Sequence, residues 1–123
     1  MAKEPIVVLV CGGRDFSEPE IINSVLDGLH RAQPIGLLVQ GGAQGADWCA
    51  MTWAVQRGID VATFPALWGF YGKSAGRRRN AVMAKYIKYD LCVVFPGGGG
   101  TADMVRKAKA AKVPIMRVKV EDA

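Results

Sequence analysis

The chain has 123 residues and a mass of 13.2 kDa, which fits one domain with a buried core. Half of its residues are hydrophobic and 22% are charged, as in ordinary globular proteins, and no apolar run approaches the ~20 residues of a membrane span. The first apolar run is also too short for a secretion signal. We therefore expect a single domain over residues 1–123, no membrane partner and a cytoplasmic location.

Charge is distributed unevenly along the chain, whose net charge is +5. Residues 1–60 carry 4 basic and 7 acidic residues, a net charge of −3, whereas residues 61–123 carry 12 basic and 4 acidic residues, a net charge of +8. A basic half attracts phosphate, either on a small molecule or on a nucleic acid. Surface lysines also keep small domains soluble, so the charge alone does not decide between a binding face and a solvated one.

Cysteine and histidine are too sparse to indicate a metal centre. The three cysteines form no CxxC pair, and His30, the single histidine, lies in a predicted helix. Cys11 and Cys92 lie in apolar runs, which is typical of small buried residues in a reducing compartment. We expect neither a metal nor a cofactor.

Five apolar, β-branched runs alternate with segments of helical period. The runs cover residues 6–11, 36–40, 61–64, 91–95 and 115–118. Strands without polar alternation are buried on both faces, and the alternation with helices indicates a parallel sheet with right-handed crossovers. The predicted fold class is α/β, a doubly wound parallel sheet of about five strands with helices on both faces. A strand order of 3-2-1-4-5 would make the first and fourth strands neighbours.

Two helix starts are marked by side chains. Ser17 and Glu20 have the spacing of a capping box at the start of the first helix, with Pro19 in its first turn. Thr101 and Asp103 offer a cap and an acidic first turn for the last helix. We expect both helices to begin at these residues.

The third helix, at about 75–88, has an informative face. Three or four residues before its apolar stripe lie Arg79 and Asn80, which therefore point toward the sheet, whereas Arg77 lies nearer the outer face. An inward arginine needs an anionic partner, because burying an unpaired charge is costly.

Three glycine-rich turns follow the first, second and fourth runs, at residues 12–15, 41–47 and 96–101. Glycine has no Cβ, so backbone amides can approach an anion closely, and the helix that follows adds unpaired N–H donors and the positive end of its dipole. All three turns are expected at one edge of the sheet, where the winding reverses and ligands bind. We therefore predict that the chain holds a nucleotide or a nucleotide-like small molecule.

The turn at 96–101 is the predicted phosphate site, with the backbone N–H groups of residues 98–101 and the Thr101 hydroxyl as donors. Arg79 and Arg14 would add charge-assisted hydrogen bonds. Asp47 and Asp103 lie in helix first turns, where each either complements the dipole or acts on the ligand by binding ribose or activating water. The predicted catalytic residues are Asp47, Asp103 and Arg79. The predicted ligand-binding residues are Gly12, Gly13, Arg14, Asp15, Gly41, Gly42, Ala43, Gly45, Asp47, Arg79, Asn80, Pro96, Gly97, Gly98, Gly99, Gly100 and Thr101.

The longest irregular stretch, residues 65–74, contains Trp68, Phe70 and Tyr71. These rings either form a lid on which a base stacks or close a small satellite core beneath a loop. The sequence leaves both alternatives open.

Taken in order, these motifs resemble the SLOG superfamily, most of all its small bacterial and phage YspA-like branch. The resemblance rests on Gly-Gly-Arg-Asp-Phe at 12–16, Gly-Gly-Ala-Gln-Gly-Ala-Asp at 41–47, Arg79-Asn80, and Phe95-Pro-Gly-Gly-Gly-Gly-Thr101, and it covers about residues 6–118. It implies a Rossmann-like fold that binds nucleotides or nucleotide-derived ligands. It also implies a homo-oligomer.

The same superfamily contains two other activities. LOG phosphoribohydrolases cut the N-glycosidic bond of cytokinin nucleotides, and DprA proteins bind single-stranded DNA. The LOG arginine matches Arg79, but the position of the LOG catalytic acid is Met104, which cannot stabilise an oxocarbenium-like state. We therefore place nucleotide binding ahead of hydrolysis by Asp47 or Asp103. Single-strand binding ranks lowest, because aromatic and basic residues are not obviously interleaved in the sequence.

Overall fold

The computed structural model describes residues 4–120, in which five strands form one fully parallel sheet. The strands are β1 (Ile6–Cys11), β2 (Ile35–Gln40), β3 (Asp60–Thr63), β4 (Leu91–Val94) and β5 (Ile115–Arg117). Their order is β3-β2-β1-β4-β5, which confirms the predicted order. The direction of winding therefore reverses between β1 and β4.

The helices of the described residues are α1 (Pro19–Ala32), α2 (Ala46–Gln56), α3 (Trp68–Tyr71), α4 (Ala75–Tyr86) and α5 (Gly99–Ala110). Buried residues of α1 and α2 pack on one face of the sheet, and those of α4 and α5 pack on the other. The short α3 lies in the stretch expected to be irregular, because four residues are too few to show a helical period. Within residues 4–120, none of the helices has the length and apolar character needed to cross a membrane.

The core consists of two apolar layers, one on each face of the sheet. Successive strand residues point to opposite faces, so Val8 packs with Trp53 on the α1–α2 side and Leu9 packs with Met83 and Met104 on the α4–α5 side. Val8 and Leu9 have no exposed surface. Burial of both faces explains why the strands show no polar alternation.

The structure places Pro19 in the first turn of α1, as expected, but neither predicted side-chain cap forms. Helix α1 follows Glu18 without a side-chain cap hydrogen bond, so Ser17 and Glu20 form no capping box. Helix α5 begins at Gly99, so Thr101 lies within the first turn rather than at the cap, and Asp103 lies after the first turn rather than in it. The N-cap residue of α5 is therefore Gly98, and no side-chain hydroxyl caps the helix.

The turn after β1 packs directly against the turn after β4. The N–H of Gly13 donates to the carbonyl of Pro96 at 2.8 Å. Gly12 is so close to its neighbours that an added Cβ would lie 2.6 Å from the Cβ of Ala46 and 2.9 Å from the Cβ of Phe95. Contact at this distance requires glycine and holds the two turns together at the carboxyl edge of the sheet.

We expect the substitution Gly12→Ala to lower the free energy of unfolding by about 1–3 kcal/mol, because its methyl group overpacks this contact. The matched control is Gly28→Ala in α1, where an added Cβ meets no atom within 4 Å. That change should raise the free energy of unfolding by about 0.5–1 kcal/mol. Urea denaturation of both variants measures the difference, and equal effects would contradict the packing role of Gly12.

Candidate functional site

A cavity of about 560 Å³ opens at the carboxyl edge of the sheet, between the turns after β1, β2 and β4 and the first turns of α4 and α5. The predicted site residues in its wall are Gly12, Gly13, Arg14, Gly41, Ala43, Asp47, Arg79, Asn80, Gly98, Gly99, Gly100, Thr101 and Asp103. The predicted site residues that lie outside the wall are Asp15, Gly42, Gly45, Pro96 and Gly97. The topology therefore brings the three turns together as expected.

Several residues of the wall were not among the predicted binding residues, although Trp68 was one of the rings considered for a lid. Trp68 and Lys73 come from the stretch between β3 and α4, and Arg77, expected on the outer face, is exposed yet reaches the cavity mouth. Arg106 also lines the cavity. Arg106 lies three residues after Asp103, so the two side chains share one side of α5. This spacing is visible in the sequence and could have identified Arg106 as a neighbour of the predicted site.

Glycines of the first two turns are required by the fold itself. Gly41 has no room for a side chain, because the guanidinium of Arg79 lies against its Cα. Gly45 has a φ of +79° and packs against the backbone oxygens of Gly13 and Arg14. These glycines need no ligand to explain them.

The amides of the second turn are hydrogen-bonded within the protein. Gly42 donates its N–H to Oε1 of the buried Gln40, and Ala43 donates to Oδ2 of Asp47 at 3.3 Å. The amide of Gly13, in the first turn, is bonded to Pro96. The expectation that bare amides of all three turns converge on a ligand is therefore too broad.

The turn after β4 differs from the other two. An added Cβ at Gly98, Gly99 or Gly100 would meet no atom within 4 Å, and none of the three has a positive φ. Gly98 directly precedes α5, and the next two glycines are its first residues. Neither packing nor backbone conformation accounts for Gly99 and Gly100, whereas Gly98 is an N-cap, a position that favours glycine over alanine. The amides of this run lie at the positive end of the α5 dipole, where the helix leaves N–H donors unpaired.

Arg79 is held between the second turn and the loop after β3. Its Nη1 donates to the carbonyls of Gly41 at 2.6 Å and Phe64 at 3.3 Å, and its Nε donates to Oδ1 of Asn80 at 2.8 Å. Neutral oxygens, rather than the expected anionic partner, therefore fix the side chain. Burial lowers the pKa of Arg79, and the charge of Asp47 acts in the opposite direction. Within residues 4–120, Nη2 of Arg79 has no hydrogen-bond partner.

Asn80 links Arg79 to α5. Its Nδ2 donates to Oδ2 of Asp103 at 3.0 Å and to the carbonyl of Gly100 at 3.2 Å. Asp103 also pairs with Lys107 at 2.5 Å. Burial acts to raise the pKa of Asp103, but the hydrogen bonds from Lys107 and Asn80 outweigh it and hold the pKa below its usual range. Asp103 is thus an ionised anchor between α4 and α5 and is poorly suited to donate a proton.

Asp47 is the other predicted catalytic carboxyl, and its environment is different. It is 6% exposed, lies in the first turn of α2 and lines the cavity. Burial raises the pKa of Asp47 to about 6, although the Ala43 amide and the Arg79 charge act to lower it. A carboxyl with this pKa changes its protonation state close to neutral pH.

A family model described as the YspA, cpYpsA-related SLOG family matches residues 6–71, more than half of the chain. The chain belongs to this SLOG family. The assignment confirms the resemblance seen in the motifs. The matched segment contains the first two turns, Asp47 and Trp68, and it ends before Arg79 and the turn after β4.

This SLOG chain is similar to the Gene 61 protein of Mycobacterium phage D29, with 37% identity over 118 residues that cover 89% of this chain and 93% of the phage protein. Among solved structures it is similar to DNA processing protein A (DprA) from Streptococcus pneumoniae, with a TM-score of 0.70 and 18% identity. That match covers 95% of this chain and 51% of DprA, so the SLOG chain spans about half the DprA chain. The DprA likeness confirms the Rossmann-like fold.

We expect the stability of this SLOG chain to depend on the protonation of Asp47. Its folded pKa of about 6 lies above the ordinary value of 3.8, so the folded state binds the proton more tightly. The free energy of unfolding should therefore rise as pH falls from about 6 toward 4, by on the order of 2 kcal/mol, relative to the variant D47N, which lacks the titrating group. Urea denaturation of both proteins at pH 7.5 and 4.5 measures this. A difference between the two proteins that does not change with pH would contradict it.

Proposed function

We propose that this chain binds a nucleotide or a nucleotide-derived ligand in the cavity, with a phosphate held by the amides at residues 98–101. Membership in a SLOG family supports a function related to nucleotides or nucleic acids at a coarse level. The proposal for this particular site rests on the glycine run that begins α5.

The glycine run is the observation that carries the proposal. Each glycine in a helix turn destabilises the fold by roughly 0.5–1 kcal/mol relative to alanine. Gly99 and Gly100 are helical residues that face open space and have no positive φ, so alanine would fit the free protein at both positions. Gly98 is the N-cap of α5, where glycine is itself favoured over alanine. A ligand that comes close to the backbone explains the lack of side chains at Gly99 and Gly100. Unpaired amides at a helix N-terminus favour an anionic group in that place.

The charge of the cavity supports a phosphate. Its wall contains five basic side chains and two carboxyls. Asp103 is already paired with Lys107, and Asp47 has a raised pKa, so neither carboxyl strongly opposes an incoming anion. The free Nη2 of Arg79 would add a charge-assisted hydrogen bond.

The size of the cavity supports a ligand larger than inorganic phosphate. A volume of about 560 Å³ lies within the range of roughly 300–1,000 Å³ that is usual for small-molecule sites. Trp68, which is 47% exposed, lies in the wall, and the guanidinium of Arg14 is 4.9 Å from the centroid of its ring. An exposed ring of this kind offers a stacking surface for a base.

We expect Gly99→Ala and Gly100→Ala to separate folding from binding. Both variants should melt at the same temperature as the wild type or higher, because alanine favours a helix. Both should lose most of the thermal stabilisation that the wild type gains from the bound members of a panel of nucleoside 5′-monophosphates, ribose 5-phosphate and ADP-ribose-like compounds.

Differential scanning fluorimetry at saturating ligand measures both effects. Gly28→Ala serves as the control, since it also replaces an open helical glycine but lies in α1, away from the cavity. Stabilisation by none of the compounds, or equal stabilisation of wild type and variants, would contradict the proposal.

A second candidate function is N-glycosidic hydrolysis of a nucleoside 5′-monophosphate, and the environment of Asp47 favours it. A carboxyl with a pKa of about 6 in a cavity wall can transfer a proton or activate a water near neutral pH. Met104, at the position where the resemblance implies the acid, is 1% exposed and packed in the core. Asp47 would therefore have to supply the carboxylate that an oxocarbenium-like state requires.

If the chain is a hydrolase, D47N should reduce the release of free base by at least 100-fold, because general acid–base catalysis contributes about 10²–10⁴-fold. Incubation of wild type and variant with each nucleotide, followed by chromatographic detection of the base, measures this. Release of base at the same rate by both proteins would remove Asp47 from the reaction. Stabilisation by nucleotides without release of base would leave binding as the function.

A further inference from the structure

The short helix α3 and the residue before it expose three apolar side chains on one side. Leu67 is 55% exposed, Phe70 is 81% exposed and Tyr71 is 41% exposed. The amides of Phe70 and Tyr71 both donate to the carbonyl of Leu67, at 3.0 Å and 2.9 Å, and residues three and four apart on such a turn share one side. We call these three residues the apolar tip.

The apolar tip has no core to pack into. None of residues 65–74 lies buried except in part, and α3 itself has no buried residue. The alternative that this stretch closes a satellite core is therefore wrong. Large apolar side chains that stay exposed together mark a surface for an interaction partner.

The apolar tip also faces away from the cavity. Trp68 follows Leu67 by one residue and so points in another direction, into the cavity wall, where Arg14 lies over its ring. The three residues of the tip lie outside that wall. Closure of the stretch over the cavity would therefore cover Trp68 and leave the tip in water, so the tip needs a partner of its own.

Three exposed cations follow the apolar tip, and we call them the basic rim. Lys73 lies in the turn between α3 and α4, and Arg77 and Arg78 lie in the first turn of α4. The Cζ of Arg78 is 4.5 Å from the centroid of Tyr71, so the rim and the tip are in contact. Apolar and cationic groups thus form one continuous surface.

The basic rim is not neutralised by the protein. Residues 61–89 contain six basic residues and no Asp or Glu. The ion pairs recorded for residues 4–120 involve Arg57, Arg106 and Lys107 as the cations. Within that part of the chain, no cation of the rim therefore has a carboxylate partner. Such a rim attracts a surface of negative charge.

We propose that the apolar tip and the basic rim dock this chain on an anionic lipid bilayer. Leu67 and Phe70 enter the boundary between the headgroups and the acyl chains, and the Tyr71 ring stays at the level of the headgroups. The rim contacts the lipid phosphates. The expectation of no membrane partner rested on the lack of a spanning run, and a surface contact needs no such run.

A second copy of the chain fits this surface less well than a bilayer does. It would bring the basic rims of two copies together, and like charges that meet at an interface repel. A specific protein interface also buries roughly 800 Å² on each partner, which three side chains of a single turn do not supply. A bilayer requires neither a matching pocket nor a large contact area.

The test is cosedimentation of the full chain, without nucleotide, with vesicles of phosphatidylcholine and phosphatidylglycerol in equal parts. The chain should bind these vesicles, bind vesicles of phosphatidylcholine alone much more weakly, and lose affinity as salt is added. The variant L67S/F70S should bind the mixed vesicles at least about tenfold more weakly, because it removes apolar surface that leaves water. The variant K73Q/R77Q/R78Q should bind on the order of 100-fold more weakly, since each cation near an anionic surface contributes about fivefold.

Matched controls separate docking by this surface from general stickiness. W48S/V55S replaces two side chains that are 60% and 65% exposed on α2, which covers the opposite face of the sheet, and it should bind like the wild type. K109Q/K112Q/K119Q removes three exposed charges elsewhere and should keep most of the affinity. All of these side chains are exposed, so the melting temperatures should stay within a few degrees of the wild type.

Four results would overturn the proposal. The first is no binding to the mixed vesicles. The second is equal binding by wild type and L67S/F70S, which would show attraction to charge without insertion. The third is equal loss of binding in W48S/V55S and L67S/F70S, which would show that any exposed apolar pair has the same effect. The fourth is a change in the sedimentation of free L67S/F70S with unchanged vesicle binding, which would make the tip a contact between protein chains.

Discussion

The candidate site depends on the parallel pairing of β1 with β4 at the point where the winding of the sheet reverses. This pairing places two turns side by side, and the hydrogen bond from Gly13 to Pro96 fixes their separation. Gly12 fills the remaining space so closely that a single methyl group would collide with two neighbouring side chains. The first turn thus acts mainly as a support, and the turn after β4 is left free to face the cavity.

Arg79 and Asn80 extend this support from the sheet to the helices. Arg79 bonds to the carbonyl of Gly41 in the turn after β2, and Asn80 bonds to Gly100 and Asp103 in α5. Two adjacent residues of α4 therefore connect both sides of the cavity. Because Asp103 is committed to this connection, Asp47 is the carboxyl whose protonation can respond to a bound anion.

The sequence predicted the fold well, because unbroken apolar runs and glycine turns are local signals of a parallel sheet. It also placed Arg79 and Asn80 on the inner side of α4. It did not distinguish a glycine that makes room for Arg79, such as Gly41, from one that faces open space, such as Gly99, because that difference depends on residues far away in the chain. The start of α5 was misplaced for a related reason, since threonine and glycine are similarly good caps and residue type alone does not decide between Thr101 and Gly98.

The aromatic stretch shows the same limit. Its rings have no helical or strand period, so the sequence left a lid and a small core as alternatives. Trp68 lies in the cavity wall, whereas Phe70 and Tyr71 face outward beside α4. One short segment thus contributes to two surfaces, and only its path between β3 and α4 decides which ring belongs to which.

The glycine run at the start of α5 also affects how this protein would respond to selection. Gly99 and Gly100 each accept a methyl group without a clash, and alanine at these two helical positions would strengthen the helix. Selection for thermal stability alone would therefore enrich alanine at these positions before it changed the tightly packed glycines of the first two turns. If these glycines bind a ligand as proposed, a gain in thermal stability at these positions would come at the expense of binding.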